Sequence, residues 1–205
     1  VRYCLIDLET YSLALSFQQN LIWQVGLIEV LDDQIVNSLD LRVNWPEFPH
    51  LKIGAGAAAV TRYSQADQDR LGIPNKEAFA KFWPILKKAD RIIIHNGLNF
   101  DLYLLKGWAE LMGEDWKWLT PKIIDTNAVA RGIKLNIKYN PQKDDFLEYQ
   151  YRMASLIVKG CKTNLTALGK EFGITDINYD LLHSANEDVK LNWRVWQKLV
   201  YQIEL

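Results

Sequence analysis

The chain is short of cysteine, of net charge and of long apolar runs, and each shortage removes a class of protein. Two cysteines in 205 residues, Cys4 in a strand-like run and Cys161 in a loop, match neither a disulfide framework nor the spacing of a zinc site. They read as reduced thiols. With 24 Lys and Arg against 25 Asp and Glu, the formal charge is −1. No global positive field holds a polyanion, so nucleic-acid binding has to come from a local patch, bound metal or aromatic stacking. No window approaches eighteen consecutive apolar residues and no signal-peptide pattern opens the chain. No membrane partner is expected, and the expected compartment is the cytoplasm. What is present is a 49% hydrophobic composition with eight tryptophans, enough for a single globular domain over residues 1–205.

The rest is organised around Tyr3-Cys4-Leu5-Ile6-Asp7-Leu8-Glu9-Thr10. It reads as a buried strand that carries two carboxylates. Side chains alternate along a strand, so Asp7 and Glu9 leave from the same side, about 6.6 Å apart. Two acids beside an apolar core repel each other and resist burial, and a hard divalent cation is the first candidate to hold them there. Taken alone, the stretch reads equally as a frayed strand end with two solvated acids.

Two β-rich runs, 21–30 and 34–43, flank the turn signal Asp32-Asp33 and predict an antiparallel hairpin joined by the first strand in a meander. Residues 51–72 read as helical pieces, and Asn75 as the cap of a better helix with Ala78, Phe79, Phe82, Leu86 and Ala89 inward. Arg91 to His95 is a short apolar strand of the kind buried on both faces. Asn99 is then expected to cap a helix over about 100–113, which puts Asp101 in its first turn. Lys122-Ile123-Ile124-Asp125 reads as another strand end, running into a short helix to Arg131. His95 reads as ordering its loop by hydrogen bonds, and Asp125 as either a helix cap or a support to the site.

Between 131 and 162, seven basic residues (Arg131, Lys134, Lys138, Lys143, Arg152, Lys159, Lys162) face three acids (Asp144, Asp145, Glu148), with Tyr139, Phe146, Tyr149 and Tyr151 interleaved. This basic and aromatic insertion, at about 132–162, suits either a single-stranded nucleic-acid groove or a solvated hairpin. Near the C-terminus, Ser184-Ala185-Asn186-Glu187 has the pattern of a capping box at the start of a long amphipathic helix. With Ser184 as N-cap, His183 and Asp188 take the two positions that approach each other across a helix start. Asp7, Glu9, Asp101 and Asp188 thus sit at structural ends that can converge, and four carboxylates match two divalent cations. Two such cations bracket a phosphate in an in-line displacement, and His183 is the candidate general base.

In these residues the chain resembles the DnaQ-like 3′→5′ exonucleases of the RNase H-like superfamily, in the DEDDh branch with three Asp, one Glu and a catalytic His. Asp7-Leu8-Glu9-Thr10 is similar to the family's first motif and Trp23-Gln24-Val25-Gly26 to the strand after it. His95-Asn96 through Phe100-Asp101 is similar to the second motif, and His183-x-Ala185-x-x-Asp188 to the third. The resemblance covers nearly the whole chain. It implies a mixed five-stranded sheet, an antiparallel meander plus parallel strands, flanked by helices. It also implies two Mg²⁺ or Mn²⁺ ions at Asp7, Glu9, Asp101 and Asp188, with His183 as base, and release of 5′-mononucleotides from the 3′ end of a single strand, DNA being favoured. Leu8, Thr10 and Asn96 would touch the substrate. One departure is that Asn96 lies five residues before Asp101 where many members have four, unless Asn99 takes part; the longer spacing is similar to proofreading domains of some phage replicative polymerases. A polymerase is a candidate partner that no residue of the chain marks. The alternatives are an exoribonuclease, distinguished by contacts to the 2′-hydroxyl, and an inactive exonuclease fold kept as a binding module. The module's signature is a lost carboxylate or histidine, and none is lost.

Overall fold

The computed structural model describes residues 1–203. Strands β1 (Arg2–Thr10), β2 (Ile22–Leu31) and β3 (Gln34–Asn44) form the antiparallel meander. Asp32 and Asp33 turn the hairpin at φ of 50° and 61°, the left-handed region that a two-residue turn needs and that Asp tolerates. A two-residue strand, β4 (Ile73–Pro74), pairs with the end of β3. Its proline is tolerable because β4 is an edge. Strands β5 (Arg91–Ile94) and β6 (Ile123–Asp125) add in parallel on the other side of β1. The sheet is therefore mixed and six-stranded, in the order β4-β3-β2-β1-β5-β6. The five expected strands are present, and β4 is the addition.

Among the described residues, eight α-helices cover it: α1 (Ala55–Thr61), α2 (Gln65–Leu71), α3 (Asn75–Lys88), α4 (Asp101–Leu111), α5 (Thr126–Lys134), α6 (Phe146–Ser155), α7 (Leu165–Glu171) and α8 (Ala185–Leu199). The period-two pattern of β1 sorts its residues between the faces. Cys4, Ile6 and Leu8 join a core with Phe79, Phe82, Trp83 and Trp108 of α3 and α4. Leu5 joins Ile93, Val189, Trp193 and Trp196 under α8. Asp7 and Glu9 continue the Leu5 row, which aims them at the start of α8. Ile92, Ile93 and Ile94 are buried on both faces, as a central parallel strand requires.

Three local expectations are corrected. Asn75 is the first residue of α3 and not its cap, because its side chain donates to Glu47 at 3.2 Å and accepts from the amide of Lys76. Asn99 lies in a 3₁₀ turn at Gly97–Asn99 and donates to Asn96 at 3.3 Å, so Phe100 precedes α4 without a side-chain cap. The Ser184–Glu187 capping box does not close. Ser184 is the N-cap, but Gln24 reaches its hydroxyl at 3.5 Å and Glu187 pairs with Lys190 at 2.6 Å.

In the 132–162 segment, Tyr149 and Met153 of α6 bury against Ala128 of α5, with Tyr139 and Phe146 packed beside them. Arg131 donates to the carbonyls of Met153 and Ala154, both at 2.9 Å. Three of the four rings are turned inward, and Tyr151 alone of the four is exposed. Among the described residues, no helix is long and apolar enough to cross a membrane.

Candidate active site

The site forms where β1 ends beside the start of α8. Asp7 pairs in register with Gly26 of β2. A β-carbon at Gly26 would overlap the carbonyl of Ala185 and lie 2.6 Å from the amide nitrogen of Asn186. Only glycine lets the backbone of α8 rest directly on the sheet here. That contact brings Asp188, in the first turn of α8, to the acids of β1, and carboxylate oxygens of Asp7, Glu9 and Asp188 lie within 4.8 Å of one another.

Asp101, the first residue of α4, is buried nearby, close enough for its charge to act on Asp7 and Glu9. Burial pushes Asp7 well above the usual carboxylate range, and the charges of Asp188, Asp101 and Glu9 add to the rise. Burial, then Asp188 and Asp101, raise Glu9 to about 8. Burial also raises Asp101 to about 7, opposed by its own amide, with Asp125 adding to the rise and the amide of Leu8 opposing it. Asp188 is raised to about 6, chiefly by burial, against the lowering effect of His183. Packed together and buried, the acids of this cluster hold protons at pH values where an isolated carboxylate has already lost its own. The donor set is all carboxylate oxygen, which suits a hard divalent cation, and removing the mutual repulsion is the gain such an ion brings.

His183 has a φ of 67° and its backbone amide donates to Asp188 at 3.1 Å. The expected meeting of histidine and aspartate therefore runs through the main chain, and the side chain is exposed at the rim of the site. Asp125 is fully buried. It accepts from the amides of Asn96 (2.9 Å), Leu98 (3.0 Å), Asn127 (3.0 Å) and Ala128 (3.3 Å), so one carboxylate caps α5 and fixes the loop leading to Asp101. His95 contacts the Thr126 hydroxyl at 2.8 Å through Nδ1, and burial lowers it to about 4. It holds the loop as a neutral ring. Asn96 is exposed in a left-handed conformation, with its side chain accepting from Asn99.

Beside the carboxylates lies a cavity of about 370 Å³, bordered by Leu8, Glu9, Thr10 and His183 from the sequence motifs. Leu13, Ala57, Val60 and Phe100 complete apolar walls. Asn96 is not among the bordering residues. The walls were not marked by any motif; the run of small residues from Ala55 to Val60 was the one available signal. The hydroxyls there are engaged, Thr10 donating to Ser12 at 2.7 Å and Thr61 to Ala57 at 2.8 Å.

Sheet order and flanking helices define a mixed α/β fold with an acidic cluster at the strand ends. No protein-family model matches the chain, and no curated protein matches it in sequence. Solved structures of Exonuclease I from E. coli do match in fold. Its complex with a dT13 oligonucleotide superposes with a TM-score of 0.72 at 13% identity, over 98% of this chain and 42% of that one. A zinc-ion-bound form of its complex with single-stranded DNA gives 0.71 at 15% identity, over 98% and 40%. The complex with dA16 gives 0.72 at 16% identity, over 99% and 41%. This chain thus spans well under half the length of those chains.

Proposed function

We propose that the chain is a metal-dependent 3′→5′ exonuclease that hydrolyses single-stranded DNA from its 3′ end and releases 5′-mononucleotides. What supports the reading most is one observation: three carboxylates within 4.8 Å at the junction of two elements, with a histidine on the rim of an adjoining cavity. The similarity in fold to Exonuclease I bound to single-stranded DNA favours DNA over RNA. Asp7, Glu9 and Asp188, with Asp101 beside them, would hold two Mg²⁺ or Mn²⁺ ions. When bound, such ions supply charge neutralisation at the scissile phosphate and lower the pKa of an attacking water. The residues of this chain do the rest. The apolar walls of the cavity receive the terminal base and exclude water around it, Leu8 and Thr10 border the sugar, and the exposed imidazole of His183 takes the proton of the attacking water.

The test is degradation of 5′-labelled single-stranded DNA and matching RNA with Mg²⁺, Mn²⁺ or EDTA, beside Asp7→Ala and Asp188→Ala. A metal-dependent ladder shortening from the 3′ end, faster on DNA and abolished in both folded variants, is the expected result. Wild-type turnover in both variants sinks the two-ion site.

A further inference from the structure

A second cavity, of about 300 Å³, is framed by the end of β3, the loop after it and α2. It meets the cavity beside the carboxylates along two stretches of chain. Tyr11 borders the second cavity, while Thr10 and Ser12 on either side of it border the first. Helix α1 gives Gly56, Ala57, Val60 and Thr61 to the first cavity. Ile53 and Tyr63, two residues before and two after that helix, border the second. Its walls are fixed without a ligand. Trp45 packs edge-on to Phe48 at 6.1 Å and Tyr11 to Tyr63 at 6.5 Å, so two aromatic pairs border it. The Trp45 indole donates to the Ile22 carbonyl at 2.6 Å. The amide of Phe48 donates to the Trp45 carbonyl at 3.0 Å and that of Leu51 to Phe48 at 3.1 Å, two tight turns that set the loop.

Two carboxamides on the border form a pair that is left open. Gln68 of α2 is 2% exposed, and its Nε2 donates to the Val43 carbonyl at 2.8 Å and to Asn44 Oδ1 at 2.9 Å. The reciprocal bond from Asn44 Nδ2 to Gln68 Oε1 is not made, and that oxygen is buried without a partner among the described residues. Folded proteins leave few such acceptors unpaired. A β-carbon at Gly72 would lie 2.5 Å from both the nitrogen and the oxygen of the Asn44 amide, so this glycine gives that side chain its place. An acceptor and a donor thus stand together beside aromatic rings. The exposed Lys52 is on the border, and among the described residues no Asp or Glu is. A cation finds no acid here, whereas an anion finds an ammonium group.

We propose that this cavity is a binding site, separate from the carboxylate cluster, for a free nucleoside 5′-monophosphate. The base lies against the Trp45, Phe48 and Tyr63 rings. An N–H on its edge donates to Gln68 Oε1, and a ring nitrogen or carbonyl beside it accepts from Asn44 Nδ2. The phosphate meets Lys52. A carboxamide donor and acceptor side by side match a base edge, and aromatic side chains hold a base by its faces. The volume lies at the lower end of the range for small-molecule sites, which fits one nucleotide and not a strand. A ligand that bridges Ile53 and Tyr63 also holds both ends of α1, a helix with no buried residue of its own. It thereby steadies one wall of the cavity beside the carboxylates.

The test is calorimetric titration of the metal-free protein in EDTA with adenosine 5′-monophosphate, adenosine and ribose 5-phosphate, which needs no turnover. The wild type is expected to bind the monophosphate at one site, adenosine more weakly and ribose 5-phosphate more weakly still. Val60→Trp, which fills the cavity beside the carboxylates, should leave the affinity for the monophosphate unchanged. Gln68→Leu should lower it about tenfold, on the low side of what a bidentate base contact is worth. Lys52→Ala should weaken the monophosphate and leave adenosine as it was. Lys52 is exposed, so this variant keeps its fold even where Gln68→Leu does not. No binding to the wild type overturns the site. Binding lost in Val60→Trp and unchanged in Lys52→Ala overturns it too, by placing the nucleotide beside the carboxylates. Ribose 5-phosphate bound as tightly as the monophosphate overturns the seat of the base. None of these results touches the exonuclease reading, which the strand ladder decides.

Discussion

At the scale of single residues, His183 combines exposure with a backbone that non-glycine residues seldom adopt. It contributes little packing, so His183→Ala should leave thermal stability nearly unchanged while lowering kcat by about 10²–10⁴-fold, the range for a general base; single-turnover kinetics beside a melting curve checks both halves. Asp125 is the opposite case. Asp125→Ala removes an N-cap, about 1 kcal/mol, and leaves the amides of Asn96 and Leu98 without their acceptor, about 1–3 kcal/mol for each. A urea titration should show a loss of roughly 3 kcal/mol or more. The pairing of Asp7 with Glu9 was legible from the strand period alone. That the capping box stays open was not, because Ser184 and Glu187 satisfy the pattern while their side chains find Gln24 and Lys190, partners far away or on the next turn.

At the scale of elements, the strands were readable because apolar alternation and a turn dipeptide encode them, down to the left-handed Asp32-Asp33 pair. The helix starts at Asn75 and Asn99 were misread, since an asparagine caps only when no nearer partner takes its side chain. Helix α1 was the least informative: its small residues bury nothing, and only the folded chain reveals them as a cavity wall. Its end is tied across the cleft by the Arg62 guanidinium, which donates to the Asp180 carbonyl three residues before His183. The contact between β2 and α8 yields a sharper expectation. Gly26→Ala forces the start of α8 off the sheet, carrying Asp188 away from Asp7 and Glu9. Activity should fall at least a hundredfold with the protein still folded, and metal affinity measured by calorimetry should fall in parallel.

At the scale of the whole molecule, the near-neutral net charge hides a strongly uneven distribution. Glu9 at about 8, Asp101 at about 7 and Asp188 at about 6 all lie above their unfolded values. Their protonated forms favour the metal-free fold, so this contribution is full below about pH 4 and is lost as pH rises through 6 to 8. Divalent cations reverse it by replacing those protons. The rise in melting temperature on adding Mn²⁺ should therefore be larger at pH 8 than at pH 6, with proton release on binding at pH 7; differential scanning calorimetry in paired buffers reads both. The overall architecture was legible because the motifs lie in order along nearly the whole chain. The second cavity was not, because its border comes from Tyr11, the loop after β3 and the residues in and before α2, which no sequence periodicity connects.

The seating of α8 on Gly26 also sets when the carboxylate cluster can form. Its acids come from residue 7 and residue 188, so the cluster has a long loop to close. On a ribosome the six strands can form while α8 is still being made. Until α8 docks, Asp7 and Glu9 lack Asp188, the third carboxylate of the cluster. In the proposed exonuclease, synthesis order thus acts as a safety catch, released once the segment that carries His183 and Asp188 is made.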